Sequence, residues 1–205
     1  AVGHRGKLAV LHPFGRLSYA ADSPSVSVDT VYDLASLTKV VATTTMAMMM
    51  VDEGRLDLDK PVQSYLPRFV GSDKEKVTVR HLLTHSSGID WWAPLYQDTQ
   101  GWAAFVEKIQ GKELAFEPGT QTKYSDLGVI LLGEILQRVS GLSLEEFSRR
   151  RLFEPLGMSS TGYRPLLGTA VDRIAPTEND SWRGRVLQGE VHDENAFAIG
   201  GVAPH

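Results

Sequence analysis

At 205 residues, with 42% hydrophobic and 22% charged residues, the chain has the size and composition of a folded domain with a substantial core, and neither disorder nor a membrane protein is favoured. A formal net charge of −4 argues against a surface that tracks nucleic-acid phosphates. The absence of cysteine excludes disulfides, thiolate metal sites and cysteine nucleophiles together.

Residues 2–19 alternate loosely and are broken at His4-Arg5-Gly6-Lys7 and at Pro13-Phe14-Gly15, which predicts an N-terminal hairpin or meander of two or three strands. The pattern turns helical at Ser36. Leu37, Val40, Val41, Thr44, Met48 and Val51 mark one face and four methionines make the rest apolar, so this helix is expected to be buried all round. Its uncharged run, residues 40–51, is too short to span a bilayer, and no membrane span is expected. Gly54 caps its end, and Asp57-Leu58-Asp59-Lys60-Pro61 opens a second, short helical element.

Residues 77–85 predict another short helix, ended by Ser86-Ser87-Gly88, and residues 89–99 a loop carrying Trp91, Trp92 and Tyr96. Residues 101–109, 126–139 and 143–152 each show helical spacing, the last opened by Ser143 with Glu146 at capping-box distance. The Arg149-Arg150-Arg151 run falls near the end of that helix, where positive charge complements the dipole, and reads as a solvated helix end. After Pro155-Leu156-Gly157-Met158 the chain turns to Gly, Pro and short β-like runs. One domain is expected over 1–205, with strands in 1–35, a mainly helical block in 36–160 and irregular structure with short strands in 161–205. That order is an α+β organisation.

Ser36-Leu37-Thr38-Lys39 carries the first chemical signal. On a helix starting near Ser36, side chains three residues apart lie about 60° apart around the axis and one turn apart along it, so Lys39 reaches the Ser36 hydroxyl. A serine hydroxyl attacks a carbonyl only when a neighbour takes its proton. A lysine does this when neutral or through an intermediary, and burial favours the neutral form of an amine. A Ser at a helix start with a solvated Lys one turn on gives the same spacing with no chemistry. Thr120-x-x-Lys123, which follows Pro118-Gly119 and lacks an apolar helical run, shows how readily the bare pattern arises. Lys39 differs in being the last charge before the uncharged run, at the mouth of an apolar helix.

The second constellation is residues 117–126, which place Tyr124 on a loop immediately before a helix, with Ser125 or Asp126 as the N-cap. A tyrosine packed at a helix entry explains that placement structurally. Beside Ser36 and Lys39, a phenol held near an ammonium can also shuttle a proton between the nucleophile and a leaving group.

On these residues the chain resembles the serine β-lactamase and penicillin-recognising superfamily, in its class C β-lactamase, D-alanyl-D-alanine peptidase and family VIII esterase branch. The resemblance rests on ASLTKVVATTTMAMMMVDEGRLDLDKPVQSYLP, HLLTHSSGI, FEPGTQTKYSDLGVILLGEILQRVSG and LFEPLGM, in that order. It implies a β-lactamase/transpeptidase-like α+β fold and acyl transfer without a metal or cofactor. Ser36 would be acylated, Lys39 and Tyr124 would manage protons, and the Ser36 N–H with a strand N–H would form an oxyanion hole. It also implies a small-molecule or peptidoglycan-like substrate with a β-lactam, D-alanyl peptide or ester carbonyl, and the periplasm or cell envelope as the location. Asp126, Trp91 and Trp92 are the expected substrate-binding residues, the tryptophans lying in the loop between the first two motifs.

Two departures from the family pattern follow. The family usually has Asn where this chain has Asp126, and an ionised Asp cannot donate a hydrogen bond to an amide carbonyl. Asp126 is therefore expected to pair with Lys39 or orient it, with altered amide or lactam recognition. The third motif, K-T-G or H-x-G on a later strand, does not occur before His205, and VHDENAFAIGGVAPH resembles a loop upstream of it. The sequence is thus expected to be a fragment of a longer domain, with C-terminal strands of the sheet missing. A non-catalytic cell-wall-binding or regulatory member of the same fold is the alternative reading. A metallohydrolase reading draws on His81 and His85, at i and i+4 of one helix, but Leu82 stands where a zinc-protease helix needs a Glu base.

Overall fold

The computed structural model describes residues 1–205. The chain divides into two compact units, Ala1–Asp33 with Arg164–His192, and Leu34–Tyr163 with Asp193–His205.

In the smaller unit, β1 (Val2–His4) and β2 (Lys7–Val10) form an antiparallel hairpin, with His4 opposite Lys7 and Gly3 opposite Leu8. Arg5 and Gly6 both have positive φ, at 50° and 73°, the geometry that lets a two-residue turn follow the strand twist. Both faces of both strands are exposed. The expected meander extends no further, because Pro13 and Gly15 end the pairing and residues 11–30 contribute only the isolated bridge Arg16–Ser25. A second small hairpin pairs β3 (Asn179–Asp180) with β4 (Arg185–Val186). Beside it a buried ion pair, Arg183 Nη2 to Asp180 Oδ2 at 3.1 Å, ties the turn down, with a further Arg183 bond to the Val191 carbonyl.

The larger unit is helical. Its first helical run winds as a π-helix over Lys39–Thr44 and continues as α1 (Thr45–Asp52). The others are α2 (Val79–Leu83), α3 (Trp102–Gln110), α4 (Asp126–Ser140), α5 (Leu144–Phe147) running into a second π-wound stretch, Ser148–Phe153, and α6 (Glu194–Ile199). No single helix is long and apolar enough to cross a membrane.

The helix at the centre is α4. Every residue from Leu127 to Gly133 is buried, and Leu127, Ile130, Leu131, Ile135 and Leu136 pack against Met46 and Met50 of α1, Leu82 of α2, Phe105 and Ile109 of α3 and Phe147 of α5. Ser125 caps its start by accepting the Gly128 N–H, and Gly141, at φ 75°, ends it in the left-handed conformation. The helix after Ser36, expected to be buried all round, is not. Ala42, Met46, Ala47 and Met50 face the core, while Val40 is 58% and Met48 65% exposed. A run without charged residues, whose three threonines stand side by side rather than along one face, does not mark a solvent side, and apolar side chains on a surface are ordinary.

Ser143 and Glu146 are half a capping box: the Ser143 hydroxyl accepts the Glu146 N–H. The short helix near 77–85 is narrower than its pattern, because Thr78 and His81 close a full capping box at its start and His85 leaves the helical conformation at φ 55°.

One close approach fixes the loop after α2. Gly88 has φ 81°, and a Cβ there would collide with the Phe116 carbonyl, whose neighbour Ala115 donates its N–H to the Gly88 carbonyl at 2.7 Å. Gly88→Ala is expected to cost about 3 kcal/mol, from backbone strain and steric overlap together. Gly141→Ala, with a similar φ and open space, is expected to cost about 1 kcal/mol. Urea unfolding of the two variants measures the difference.

Candidate active site

Three segments distant in sequence supply the site. Ser36 sits just before the π-wound turns, on a stretch of tight turns in which Leu37, Thr38 and Lys39 donate their N–H groups to carbonyls three residues back. Ala35, immediately before it, has φ 44°. A left-handed alanine costs about 1–2 kcal/mol, and strain of this kind collects where a side chain must be presented in one direction. Ser36 is exposed, whereas Lys39, one turn later, is buried.

Lys39 Nζ lies 3.1 Å from Ser36 Oγ and donates to it. On its other side it meets Asp126 Oδ1 at 2.6 Å, with side-chain exposures of 7% and 15% for the two partners. That contact is the buried carboxylate oxygen's polar partner. The ammonium also lies 4.7 Å from the centre of the Tyr124 ring, against its face. A contact of this type to a half-exposed ring contributes about 1 kcal/mol. One nitrogen thus gathers a hydroxyl, a carboxylate and an aromatic face.

The Tyr124 loop is held from the 85–91 side. Ser125 Oγ donates to the Asp90 carbonyl at 2.8 Å while capping α4, and the Asp126 N–H donates to the Trp91 carbonyl at 2.9 Å. His85 completes the support: its ring centre is 4.6 Å from that of Tyr124, and its Nδ1 accepts the Ser125 N–H at 3.1 Å. Burial, and then the nearby Lys39 charge, push the His85 imidazole below its ordinary range, against the smaller pull of Asp126.

A cavity of about 150 Å³ opens at this point, lined among others by Ser36, Lys39, Thr43, His85, Tyr124 and Leu132. Trp91 and Trp92 do not line it. Their rings stand 5.9 Å apart, with Trp91 52% exposed, and it is the Trp91 backbone that touches the site. Thr120 and Lys123 are in the loop before Tyr124, not on a helix.

The two histidines of residues 81–85 do not share a helix face. His81 Nδ1 accepts the Thr78 N–H in the capping box, while His85, beyond the helix end, faces Tyr124. The HDENAFAIGGVAPH stretch contributes Asp193, which caps α6 through the Ala196 N–H and meets His205 Nε2 at 3.2 Å. Burial raises the Asp193 carboxyl, but the His205 hydrogen bond and charge, the Ala196 N–H and Lys39 together hold it below the usual carboxylate range. Spacing offers His85 only as a metal ligand beside His81, and no motif ties Asp193 to this site; the structure sets His85 against Tyr124 and Asp193 where it feels the Lys39 charge. A non-glycine residue at positive φ is invisible in a sequence without its structure.

The fold is β-lactamase/transpeptidase-like: it matches the crystal structure of a class C beta lactamase with a TM-score of 0.73 at 26% identity, over 89% of this chain and 49% of that one. The family model described as Beta-lactamase matches residues 1–200, and the chain belongs to that family. It is 34% identical to a putative D-alanyl-D-alanine carboxypeptidase of Escherichia coli (strain K12), over 86% of this chain and 46% of that protein. It is 31% identical to an N-acetylmuramyl-L-alanine amidase of Bacillus subtilis (strain 168), again over 86% and 46%. The chain spans about half the length of the curated relatives it matches.

Ser125 Oγ is the hinge of the Tyr124 loop, since the buried hydroxyl both caps α4 and holds the Asp90 carbonyl. Ser125→Ala is expected to lose about 2 kcal/mol, from the missing cap and two unsatisfied backbone groups. Denaturant unfolding of the variant against the parent chain reads this directly.

Proposed function

We propose that the chain carries the acylation centre of a serine hydrolase, with Ser36 as the nucleophile and a β-lactam, D-alanyl peptide or ester carbonyl as the electrophile. The observation that carries the reading is Lys39 Nζ at 3.1 Å from Ser36 Oγ, in contact with Asp126 at 2.6 Å. An ammonium cannot take a proton, so Lys39 acts as a relay. As Ser36 Oγ bonds to the carbonyl carbon, its proton passes to Nζ while Nζ releases one to Asp126 Oδ1. The lysine ends as it began, the carboxyl is protonated, and the carbonyl becomes a tetrahedral oxyanion. Collapse of that oxyanion expels the leaving amine or alkoxide, which takes the Tyr124 phenolic proton, and the proton held on Asp126 passes back through Lys39 to the phenolate, so that Asp126, Lys39 and Tyr124 all end as they began. Water then releases the acid from the acyl-enzyme. Positioned proton transfer of this kind contributes about 10²- to 10⁴-fold in rate.

Asp126 also bears on the substrate. With its carboxylate turned to Lys39 it offers no N–H to an amide carbonyl, which favours ester over lactam or peptide substrates relative to an asparagine at this position. The relatives named for D-Ala-D-Ala carboxypeptidase and muramyl amidase activity support a small molecule or a peptidoglycan-derived group as the substrate class of the whole protein. Trp91, half-exposed beside the Tyr124 loop, is the side chain available to meet a bulky group outside the cavity.

Exposing the chain to a penicillin and to p-nitrophenyl acetate, followed by intact-mass measurement, tests the reading. A covalent adduct that disappears in Ser36→Ala is expected with at least one reagent. No adduct with either would leave the non-catalytic binding member as the surviving reading. Asp126→Asn is expected to slow ester acylation by about 10²-fold, through loss of the proton acceptor, and to raise the ratio of lactam to ester reaction. An unchanged ratio would refute the role given to the carboxylate.

A further inference from the structure

The turn after α2 is stitched to the loop that carries Tyr124 by a ladder of hydrogen bonds. The Gly88 carbonyl accepts the Ala115 N–H at 2.7 Å, the Ser86 carbonyl the Gly119 N–H at 2.8 Å, and the His85 carbonyl the Lys123 N–H at 2.8 Å. The rung nearest α4 is made by a side chain: the Ser125 N–H donates to His85 Nδ1 at 3.1 Å. His85 therefore takes the amide one residue before Tyr124 with its backbone and the amide one residue after it with its ring. A single residue aims both groups at one loop because its backbone is left-handed, at φ 55°, a conformation that histidine adopts more readily than most non-glycine residues. The ring also packs on the Tyr124 ring and borders the cavity that holds Ser36 and Lys39.

We infer that His85 is a positioning residue for Tyr124: its neutral imidazole clamps the tyrosine loop through the Ser125 N–H, and protonation of that ring releases the clamp and sets the acid limb of Ser36 acylation. The inference rests on Ser36 as the acylated residue. Nδ1 accepts a hydrogen bond only while it carries no proton; an imidazolium has two N–H groups and no acceptor. The groups facing the ring are Lys39 from the π-wound turns, Tyr124 from the loop and Asp126 from the start of α4. Burial and Lys39 disfavour a second positive charge here, and Asp126, already paired with Lys39, offsets this only in part. The ring is thus neutral at and above neutral pH. The clamp is lost as the pH falls through a value below the ordinary histidine figure of about 6.5.

The test compares the parent chain with His85→Ala and His85→Asn. Asparagine tolerates the left-handed backbone and offers a carbonyl oxygen near the place of Nδ1, without titrating. The readouts are the pH dependence of p-nitrophenyl acetate acylation and the nitrogen chemical shifts of labelled histidine. His85→Ala is expected to lower the acylation rate by about 10²-fold at pH 8, with ester affinity nearly unchanged, as for a misplaced proton-transfer group. His85→Asn is expected to recover about tenfold of that loss and to lack the parent's acid limb. The parent's His85 Nδ1 is expected to be unprotonated at pH 8, with the Ser125 amide signal following the ring's titration. An acid limb that persists in His85→Asn, or a protonated Nδ1 at pH 8, overturns the inference. If the parent chain accepts no acyl group at any pH, the Ser36 reading fails, and the His85 clamp is then decided by the nitrogen shifts and the Ser125 titration.

Discussion

Everything about this site is arranged around one buried amine. Lys39 leaves the first helical run with only a small part of its side chain in water, and Asp126, at the start of the helix that centres the core, meets it at 2.6 Å. Burying either charge alone costs several kcal/mol, so each makes the other's position tolerable. The pair therefore fixes more than a local contact: it sets how the Ser36 turn lies against α4, and with it the distance from Nζ to Ser36 Oγ.

Around that pair the backbone departs from its ordinary preferences in several places at once. Ala35 is left-handed immediately before Ser36, His85 is left-handed immediately before the stitched turn, and Lys39–Thr44 is wound one residue wider than an α-helix. Each departure costs free energy by itself, and π-wound turns in particular concentrate at functional positions. The surrounding packing enforces them. The Met46 and Met50 face of α1 is seated on α4, the Ser125 hydroxyl ties α4 to residue 90, and the ladder from Gly88 to His85 holds the far side of the tyrosine loop. A rigid helical core thus presents a few strained residues to a small cavity.

Much of this was legible in the sequence, and what was not has identifiable physical causes. The three-residue spacing of Ser36 and Lys39 put hydroxyl and amine within reach, and the charge of Asp126 pointed to the lysine; both contacts are present. Helix α4 was legible within one residue because Ser125 caps it and Gly141 ends it, both strong local signals. The solvent side of the helix after Ser36 is not legible, because its run carries no charge and its three threonines are consecutive rather than on one face. The N-terminal hairpin is present as the alternation predicts, but the same loose alternation runs on into the irregular chain after Pro13. Sequence distance alone pairs His85 with His81, although the helix ends between them. The conformation that turns His85 toward Tyr124 depends on contacts with residues 115–125, which lie far along the chain.

The central claim is that Lys39 and Asp126 act as one unit. A double-mutant cycle measures it most directly: urea unfolding of Lys39→Met, Asp126→Asn and the double variant against the parent chain. Each single substitution leaves a buried charge without its opposite charge, so the double variant is expected to be more stable than the sum of the single losses, by about 1–3 kcal/mol. Additivity within about 0.3 kcal/mol would contradict the account, because it would mean that the lysine and the carboxylate hold their places independently.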